Sequence, residues 1–257
     1  MKNKKMFRNI LSVIFIIIIV ISLAIIIIDF NKPEEVIPEY EDPPEEIIVD
    51  EDDKENVEVD NNEFIKMSPD VDLNAERLNH SNNDIIGRLE IPDLFNILIV
   101  RGTDNKYYLN NSVDKKYDVR GSEFMDYRLT PTSKHINIYG HNSRDENVKV
   151  PFLRLEKFLN KDFFDKNQYI IFQYDGGKSI YKIMSIKEIT TDYEHMNFNV
   201  TGKDFKNHID KLINNSIYTR DVSYDENSDI IVLQTCSHHL DNAYYLITGV
   251  KIDYNQS

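Results

Sequence analysis

Two residues of this chain have the side chains that cysteine nucleophile chemistry needs, and each stands at the end of a strand-like run. Cys236, the only cysteine, closes the apolar run 230–236, and His141 follows the run 136–140. Only a thiolate attacks a carbonyl efficiently, and a neighbouring imidazole can accept the thiol proton and later protonate a leaving amine. The pair therefore indicates acyl transfer through a covalent cysteine intermediate.

A lone cysteine also has an inert interpretation, because free cysteine often behaves as a small buried hydrophobe. The histidine at a second strand end favours the reactive interpretation. His238 and His239 follow Cys236 closely and suggest a metal site. However, adjacent residues of a strand point to opposite faces, and no Cys-x-x-Cys or His-Glu-x-x-His motif accompanies them, so we expect no metal. Three further histidines are expected to be exposed to solvent: His80, His195 and His208.

The first thirty residues predict a membrane anchor. A basic stub precedes a 19-residue run, from 10 to 28, that is apolar except for Ser12 and Ser22. That length is sufficient for a helix to cross a hydrocarbon core of about 30 Å. No Ala-x-Ala-like cleavage site follows, so a cleaved signal peptide is disfavoured. Because basic flanks stay in the cytoplasm, we expect residues 1–30 to form a cytoplasmic stub and a single transmembrane helix, with the rest of the chain extracytoplasmic.

Residues 31–66 predict an acidic, disordered linker. Between residues 31 and 63 the chain has 15 Asp and Glu, two Lys, four Pro and no Gly. Such a segment cannot bury enough apolar surface to offset its ordering entropy. Most of the chain's net charge of −14 therefore belongs to the linker. No basic stripe with interleaved aromatic residues is present, so we expect no nucleic acid partner.

Residues 67–257 predict one mainly β domain, in which short runs of Ile, Val, Tyr and Phe alternate with Asn, Asp and Gly. Eight short strands in one domain favour a closed, mostly antiparallel barrel, because closure removes exposed sheet edges. The strands are predicted near 85–91, 95–101, 122–126, 135–140, 169–174, 179–190, 229–235 and 244–253. Peripheral helices are predicted at 74–78, 151–158 and 204–213.

Several motifs occur in a fixed order along this domain. Leu233-Gln234-Thr235-Cys236 is similar to the Leu-x-Thr-Cys of sortases, and Tyr139-Gly140-His141-Asn142 is similar to their Tyr-Gly-His-Asn. Residues 104–109 and residues 124–127 are also similar to sortase segments. The predicted helix at 204–213 is a trait of one group of sortases, class B. The segment from about 70 to 251 thus resembles the sortase family, class B. The resemblance implies an eight-stranded sortase-like β-barrel with a few peripheral helices, preceded by the N-terminal transmembrane helix.

The resemblance also implies a membrane-anchored cysteine transpeptidase of a Gram-positive cell. In this interpretation Cys236 cleaves a C-terminal sorting signal of a secreted protein after Thr and forms a thioacyl enzyme, and His141 acts as general acid and base. An amine of a peptidoglycan precursor or of a pilin then takes the acyl group. No metal or organic cofactor is implied. Four residues are expected to contact substrate: Tyr139, Asn142, Thr235 and His238.

One position departs from the family pattern. Sortases carry an arginine on the strand after the cysteine, whereas this chain has Tyr244 there and no arginine anywhere after Cys236. Tyrosine donates one hydrogen bond and lacks the permanent charge of guanidinium. Three explanations of this departure are open. In the first, another cation (Arg220, His238 or His239) reaches the site. In the second, Tyr244 itself donates to the oxyanion, in a slower enzyme. Otherwise the domain is degenerate and binds sorting peptides with little or no transpeptidation. Cysteine and histidine alone also leave a thiol hydrolase of another class open.

Overall fold

The structure, a computed structural model, describes residues 65–143, 148–239 and 242–253. The predicted anchor (1–30) and nearly all of the predicted linker (31–66) lie outside the described residues. Within the described ranges, no helix combines the length and the apolar character that a membrane crossing requires.

Nine strands form one sheet, and eight of them match the predicted strands. They are β1 (Ile85–Ile91), β2 (Phe95–Val100), β3 (Phe124–Met125), β4 (His135–Tyr139), β5 (Tyr169–Tyr174), β6 (Gly177–Ile189), β7 (Tyr218–Thr219), β8 (Ile230–Cys236) and β9 (Tyr244–Ile252). The ninth, the two-residue β7, was not predicted.

Eight of these strands close into a barrel in the order β5-β1-β2-β3-β4-β8-β9-β6, with β6 pairing back to β5. The short β7 is added to β6 outside this ring. Two pairs, β2–β3 and β4–β8, are parallel, and the other pairs are antiparallel. The predicted eight-stranded, mostly antiparallel barrel is therefore confirmed.

Short helices connect the strands. The α-helices are α1 (Leu73–Asn79), α2 (Lys161–Lys166) and α3 (Asp204–Ile213), and the 3₁₀ segments are Tyr107–Leu109, Pro151–Leu159 and Glu194–Met196. Asp72 caps α1 by accepting the backbone N–H groups of Asn74 and Ala75. The predicted helix at 151–158 is a 3₁₀ helix in the structure. Asn160 follows it and caps α2.

The cysteine strand β8 is buried on both faces over most of its length. Its inward side chains Ile231 and Leu233 belong to the barrel core, which Phe152 and Phe158 of the 3₁₀ helix also enter. Its outward side chains Ile230 and Val232 pack with Phe205, Ile209 and Leu212 of α3. Burial of each such side chain stabilises the fold by about 1.5–3 kcal/mol. The end of β8 is thus held on both sides.

Candidate active site

The parallel pair of β4 and β8 brings the histidine and the cysteine to the same edge of the barrel. Tyr139 lies opposite Gln234 in the ladder, and the Gly140 amide donates to the Gln234 carbonyl at 3.1 Å. Because both strands run in the same direction, the residues two positions further on, His141 and Cys236, emerge at the same level. The Thr235 hydroxyl donates to the Gly140 carbonyl at 3.0 Å and fastens the two strand ends together.

Cys236 and His141 line one cleft with a volume of about 310 Å³. Its walls are mostly apolar or aromatic, as is usual for a binding site that buries most of a ligand. The other lining residues are Asn105, Leu109, Phe124, Tyr139, Gly140, Met196, Gln234, Thr235 and Tyr244. Five of the seven residues singled out from the sequence therefore meet here, whereas Asn142 and His238 are not among the lining residues.

The thiol of Cys236 is half-buried, and this burial raises its pKa. The ring of His141 makes its hydrogen bond to the Leu109 carbonyl, at 2.7 Å from Nε2, and not to the sulfur. A carbonyl only accepts, so Nε2 carries the proton and, in the neutral ring, Nδ1 is the basic nitrogen. The resting site therefore contains a protonated thiol and an imidazole with a defined tautomer.

The Leu109 carbonyl is a site feature that the sequence did not reveal. Leu109 ends the 3₁₀ segment Tyr107–Leu109, and the neighbouring Tyr108 is buried and donates its hydroxyl to Asp84 at 2.7 Å. The Ser122 amide donates to the Tyr108 carbonyl at 2.9 Å. Any residue type provides a backbone carbonyl, so residue identity carries no signal for this contact.

Tyr244 faces the same cleft. It opens β9 and lies directly opposite Cys236 in the antiparallel ladder, so both side chains are on one side of the sheet. Its hydroxyl has no hydrogen-bond partner among the described residues. Of the residues that the structure describes, no Arg or Lys lines the cleft. The residue that stands where the resemblance implies an arginine is thus a tyrosine, and its hydroxyl is uncommitted within the described structure.

The proposed substitute cations lie elsewhere. Arg220 donates to the backbone carbonyls of Ile183 and Phe164, and its guanidinium lies 4.4 Å from the centre of the Phe164 ring. His239 binds the Tyr245 hydroxyl through Nδ1 at 2.9 Å. Neither residue lines the cleft, and neither does His238. In the described geometry none of these three side chains lines the cleft, so the lining residues give that alternative no support.

Asn142, which follows His141, makes its hydrogen bonds within the protein. Its amide nitrogen donates to Glu156 Oε1 at 2.6 Å and to the Cys236 carbonyl at 2.8 Å, and its oxygen accepts the Ser143 amide. Both amide hydrogens are therefore used within the protein. Asn142 thereby links the end of β8 to the 3₁₀ helix Pro151–Leu159, and its contact with substrate stays a prediction.

Asp126 organises one wall of the cleft. Burial alone would raise its pKa, but hydrogen bonds from Arg128, Tyr139 and Asn105 hold the pKa at about 2. The Tyr139 hydroxyl and the Asn105 amide each donate to Asp126 Oδ2 at 2.8 Å. The ionised carboxylate thus fixes two lining residues of the cleft, Tyr139 and Asn105.

Two of the three histidines expected to be exposed are buried. His195 and His208 are each 1% exposed. His208 contacts Glu194 Oε1 at 2.7 Å and His135 Nδ1 at 3.1 Å, and His195 contacts Gln234 Oε1 at 2.8 Å. The prediction was wrong for His208 because this residue shares the apolar face of α3, and that spacing could have indicated its burial. Within the described ranges, no three His, Cys, Asp or Glu side chains form a group that could hold a metal ion.

An eight-stranded barrel with a thiol and an imidazole at matched ends of two parallel strands defines a sortase-like protein. No family model matches the sequence. Sortase B of Listeria monocytogenes is 33% identical over 166 residues, which are 62% of this chain and 65% of that protein. Sortase B of Staphylococcus aureus is 28% identical over 166 residues, which are 63% of this chain and 66% of the relative. The chain thus spans about two thirds of the length of these curated relatives.

The solved structures agree. Sortase B of Clostridium perfringens superposes with a TM-score of 0.64 at 25% identity and covers 70% of this chain and 100% of that structure. Sortase B from Listeria monocytogenes gives a TM-score of 0.61 at 29% identity, with 68% of this chain and 99% of that structure covered. The chain is a class B sortase-like protein, as the resemblance of its motifs predicted.

Proposed function

We propose that this chain is a cysteine transpeptidase that cleaves a C-terminal sorting signal after Thr and passes the acyl group to an amine. The observation that carries this proposal is that Cys236 and His141 stand at matched ends of β4 and β8 and line one cleft. One solved structure with this fold is a Staphylococcus aureus sortase B–substrate complex, with 25% identity, a TM-score of 0.61, and 70% of this chain and 85% of that structure covered.

The raised pKa of the Cys236 thiol and the hydrogen bond of His141 Nε2 favour general-base catalysis. His141, with Nε2 held by the Leu109 carbonyl, accepts the thiol proton at Nδ1 while the sulfur attacks the Thr carbonyl carbon. The Tyr244 hydroxyl donates to the oxyanion of the tetrahedral intermediate. As the intermediate collapses, the peptide C–N bond breaks and the leaving amine takes the proton from Nδ1. The product is a thioester on Cys236 and a neutral His141.

The second half of the reaction reverses these roles. An incoming amine attacks the thioester carbonyl and gives its proton to His141 Nδ1, and the departing sulfur takes that proton to regenerate the thiol. The acceptor is an amine of a peptidoglycan precursor or of a pilin. Among solved structures of this fold, a Streptococcus pyogenes class B sortase involved in pilus biogenesis is 26% identical, has a TM-score of 0.60, and has 69% of this chain and 97% of its own length covered.

We also propose an extracytoplasmic location for the barrel, with residues 1–30 as a single-pass anchor and residues 31–66 as a spacer. The support is the run from 10 to 28, which has no charged residue and is apolar except for Ser12 and Ser22, after a basic stub. Such an enzyme would act at the membrane of a Gram-positive cell, on secreted proteins that carry the sorting signal.

The alternative function is a degenerate sortase-like domain that binds sorting peptides with little or no transpeptidation. Two observations favour it: Tyr244 faces Cys236 where an arginine is expected, and no Arg or Lys is found among the described lining residues of the cleft. This alternative predicts peptide binding that survives Cys236→Ala, together with very slow turnover in the wild type.

The test uses the purified full-length chain in detergent with a panel of sorting-signal peptides. Mass spectrometry should detect an acyl adduct on Cys236, and added amine should convert the adduct into a transpeptidation product. Cys236→Ala and His141→Ala should lose the product, whereas His239→Ala, outside the cleft, should keep it. Equal inertness of the wild type and Cys236→Ala across the panel would contradict the enzymatic function. Release of acid at a rate unaffected by amine would identify a hydrolase.

A further inference from the structure

Gln234 is a polar side chain on the wall of a mostly apolar cleft. It stands two residues before Cys236 on β8, so both side chains are on the same face of the strand, about 7 Å apart along it. Leu109, Phe124 and Met196 line the same cleft. A peptide that fills this cleft would therefore cover Gln234 and remove it from water.

The amide of Gln234 has a fixed orientation. Its Oε1 lies 2.8 Å from His195 Nε2, and an amide oxygen only accepts, so the His195 ring donates. This contact directs the Gln234 NH₂ group away from His195. Among the described residues, that NH₂ group has no acceptor. By contrast, the hydroxyl of Thr235, which also lines the cleft, donates to Gly140.

His195 is well placed to hold this orientation. It is 1% exposed and lies in the 3₁₀ turn Glu194–Met196. Glu194 contacts His208 of α3 at 2.7 Å, and the Met196 sulfur lies 3.1 Å from the Tyr139 hydroxyl oxygen. Both neighbours of His195 in this turn are therefore anchored. The Nδ1 atom of His195 is buried without a partner in the described structure, which suits a neutral ring with its proton on Nε2.

We propose that Gln234, oriented by His195, is a specificity-determining residue that donates a hydrogen bond to an oxygen of the acyl-donor peptide. This inference rests on the proposed function and deepens it, because it defines the substrate as a peptide with an acceptor oxygen near the scissile bond. The spacing along β8 places that oxygen within about two residues of the scissile carbonyl. The oxygen belongs either to a side-chain amide or to the peptide backbone.

The discrimination follows from desolvation. A peptide that covers the NH₂ group without offering an acceptor leaves a buried donor unpaired. Sites that are built to hydrogen-bond a substrate reject analogues that lack the partner group for this reason. For one neutral hydrogen bond we expect a loss of about tenfold in affinity.

The test measures peptide binding by calorimetry in full-length chains that carry Cys236→Ala, so turnover does not interfere. Each position within three residues of the Thr is filled in turn with Gln or with its apolar counterpart Met, and a second series replaces each backbone carbonyl by a methylene. We expect one acceptor oxygen to improve binding about tenfold. Gln234→Leu should abolish that preference, His195→Phe should weaken it, and His195→Gln, which keeps an N–H donor, should retain part of it.

Gln173→Leu is the matched control. Gln173 also lies on a barrel strand, but it bonds to the backbone of Val71 and does not line the cleft, so the preference should persist. A Gln234-dependent preference in the Gln/Met series identifies a side-chain acceptor, and one in the methylene series identifies a backbone acceptor.

Equal peptide preferences in Gln234→Leu and its parent would overturn the proposal, and so would the absence of binding by every peptide. The two proposals fail separately. A Gln234-dependent preference without any acyl adduct on Cys236 in the otherwise native chain supports this inference and contradicts the transpeptidase. If His195→Phe lowers the melting temperature sharply, the Gln234→Leu comparison decides.

Discussion

Replacement of Gly140 by alanine should displace the residue that follows it, His141. A Cβ atom at position 140 would lie 2.4 Å from Phe152 Cδ2 and 2.9 Å from Glu123 Cγ. Neither neighbour can withdraw easily. Phe152 is fully buried and stacks on Phe95 with ring centroids 5.7 Å apart, and Glu123 is 7% exposed. The backbone between β4 and His141 must therefore move.

The cost has two parts. Overpacking of a close-packed core costs about 1–3 kcal/mol. The movement also strains the hydrogen bonds that join Gly140 to Gln234 and Thr235, each of which contributes about 1 kcal/mol. We therefore expect Gly140→Ala to lower the free energy of unfolding by about 2–4 kcal/mol. A shift of about 1 Å in His141 would slow acylation of Cys236 by about 10²-fold.

Urea unfolding gives the stability, and the rate of adduct formation on Cys236 gives the activity. The matched control is Gly102→Ala, whose added Cβ would be no closer than 3.4 Å to any atom. Combining Gly140→Ala with Phe152→Leu should recover part of both losses, because the smaller side chain gives the new methyl group room. If Gly140→Ala matched Gly102→Ala in stability and in acylation rate, the assumed rigidity of the backbone between β4 and His141 would be wrong.

Three other predictions concern ionisable groups. Burial raises the pKa of Glu123 to about 7, above its ordinary value of 4.5, so between these pH values the folded chain keeps a proton that the unfolded chain loses. Stability should fall by about 3 kcal/mol as pH rises through this window and stay level above it, and urea unfolding of Glu123→Gln should lack the fall. Burial also raises the pKa of Cys236, so iodoacetamide should alkylate it slowly at neutral pH and faster as pH rises into the alkaline range. The His141→Ala variant should give the same pH profile. An alkylation rate that is already at its plateau in the acidic range would instead indicate a thiolate–imidazolium ion pair. Tyr244→Phe should slow acylation of Cys236 about 10²-fold, and Tyr244→Arg should match or exceed the wild-type rate. Equal rates in the wild type and both variants would exclude Tyr244 as an oxyanion donor.

Much of the barrel was predictable because its strands carry their own signal. Ile136 and Ile138 alternate with His135 and Asn137 along β4, and such alternation locates a strand without knowledge of its partners. The cysteine and histidine were likewise visible at the ends of their runs. The parallel pairing that brings them to one level depends on contacts between residues 95 positions apart, and no local pattern specifies it.

The rest of the site depends on groups that residue identity does not reveal. The carbonyl of Leu109 could belong to any residue, and the amide of Asn142 could equally have faced a substrate. His195 reaches Gln234 only because the turn Glu194–Met196 folds back onto the outer face of β4. These contacts bridge distant segments, so no local pattern specifies them.

Tyr244, which lacks the permanent charge of an arginine, and the raised pKa of the Cys236 thiol both favour a neutral thiol at rest. A thiolate–imidazolium pair in an apolar cleft carries a large desolvation cost, which a fixed cation nearby would reduce. Among the described residues the cleft has no such cation, and burial alone already favours the neutral thiol. A neutral pair avoids that cost at rest and requires charge only during attack, when the proton moves to His141 and the oxyanion needs a donor. A tyrosine hydroxyl provides that donor without placing a permanent charge opposite Cys236. A tyrosine at this position therefore suits a cleft whose thiol stays protonated at rest.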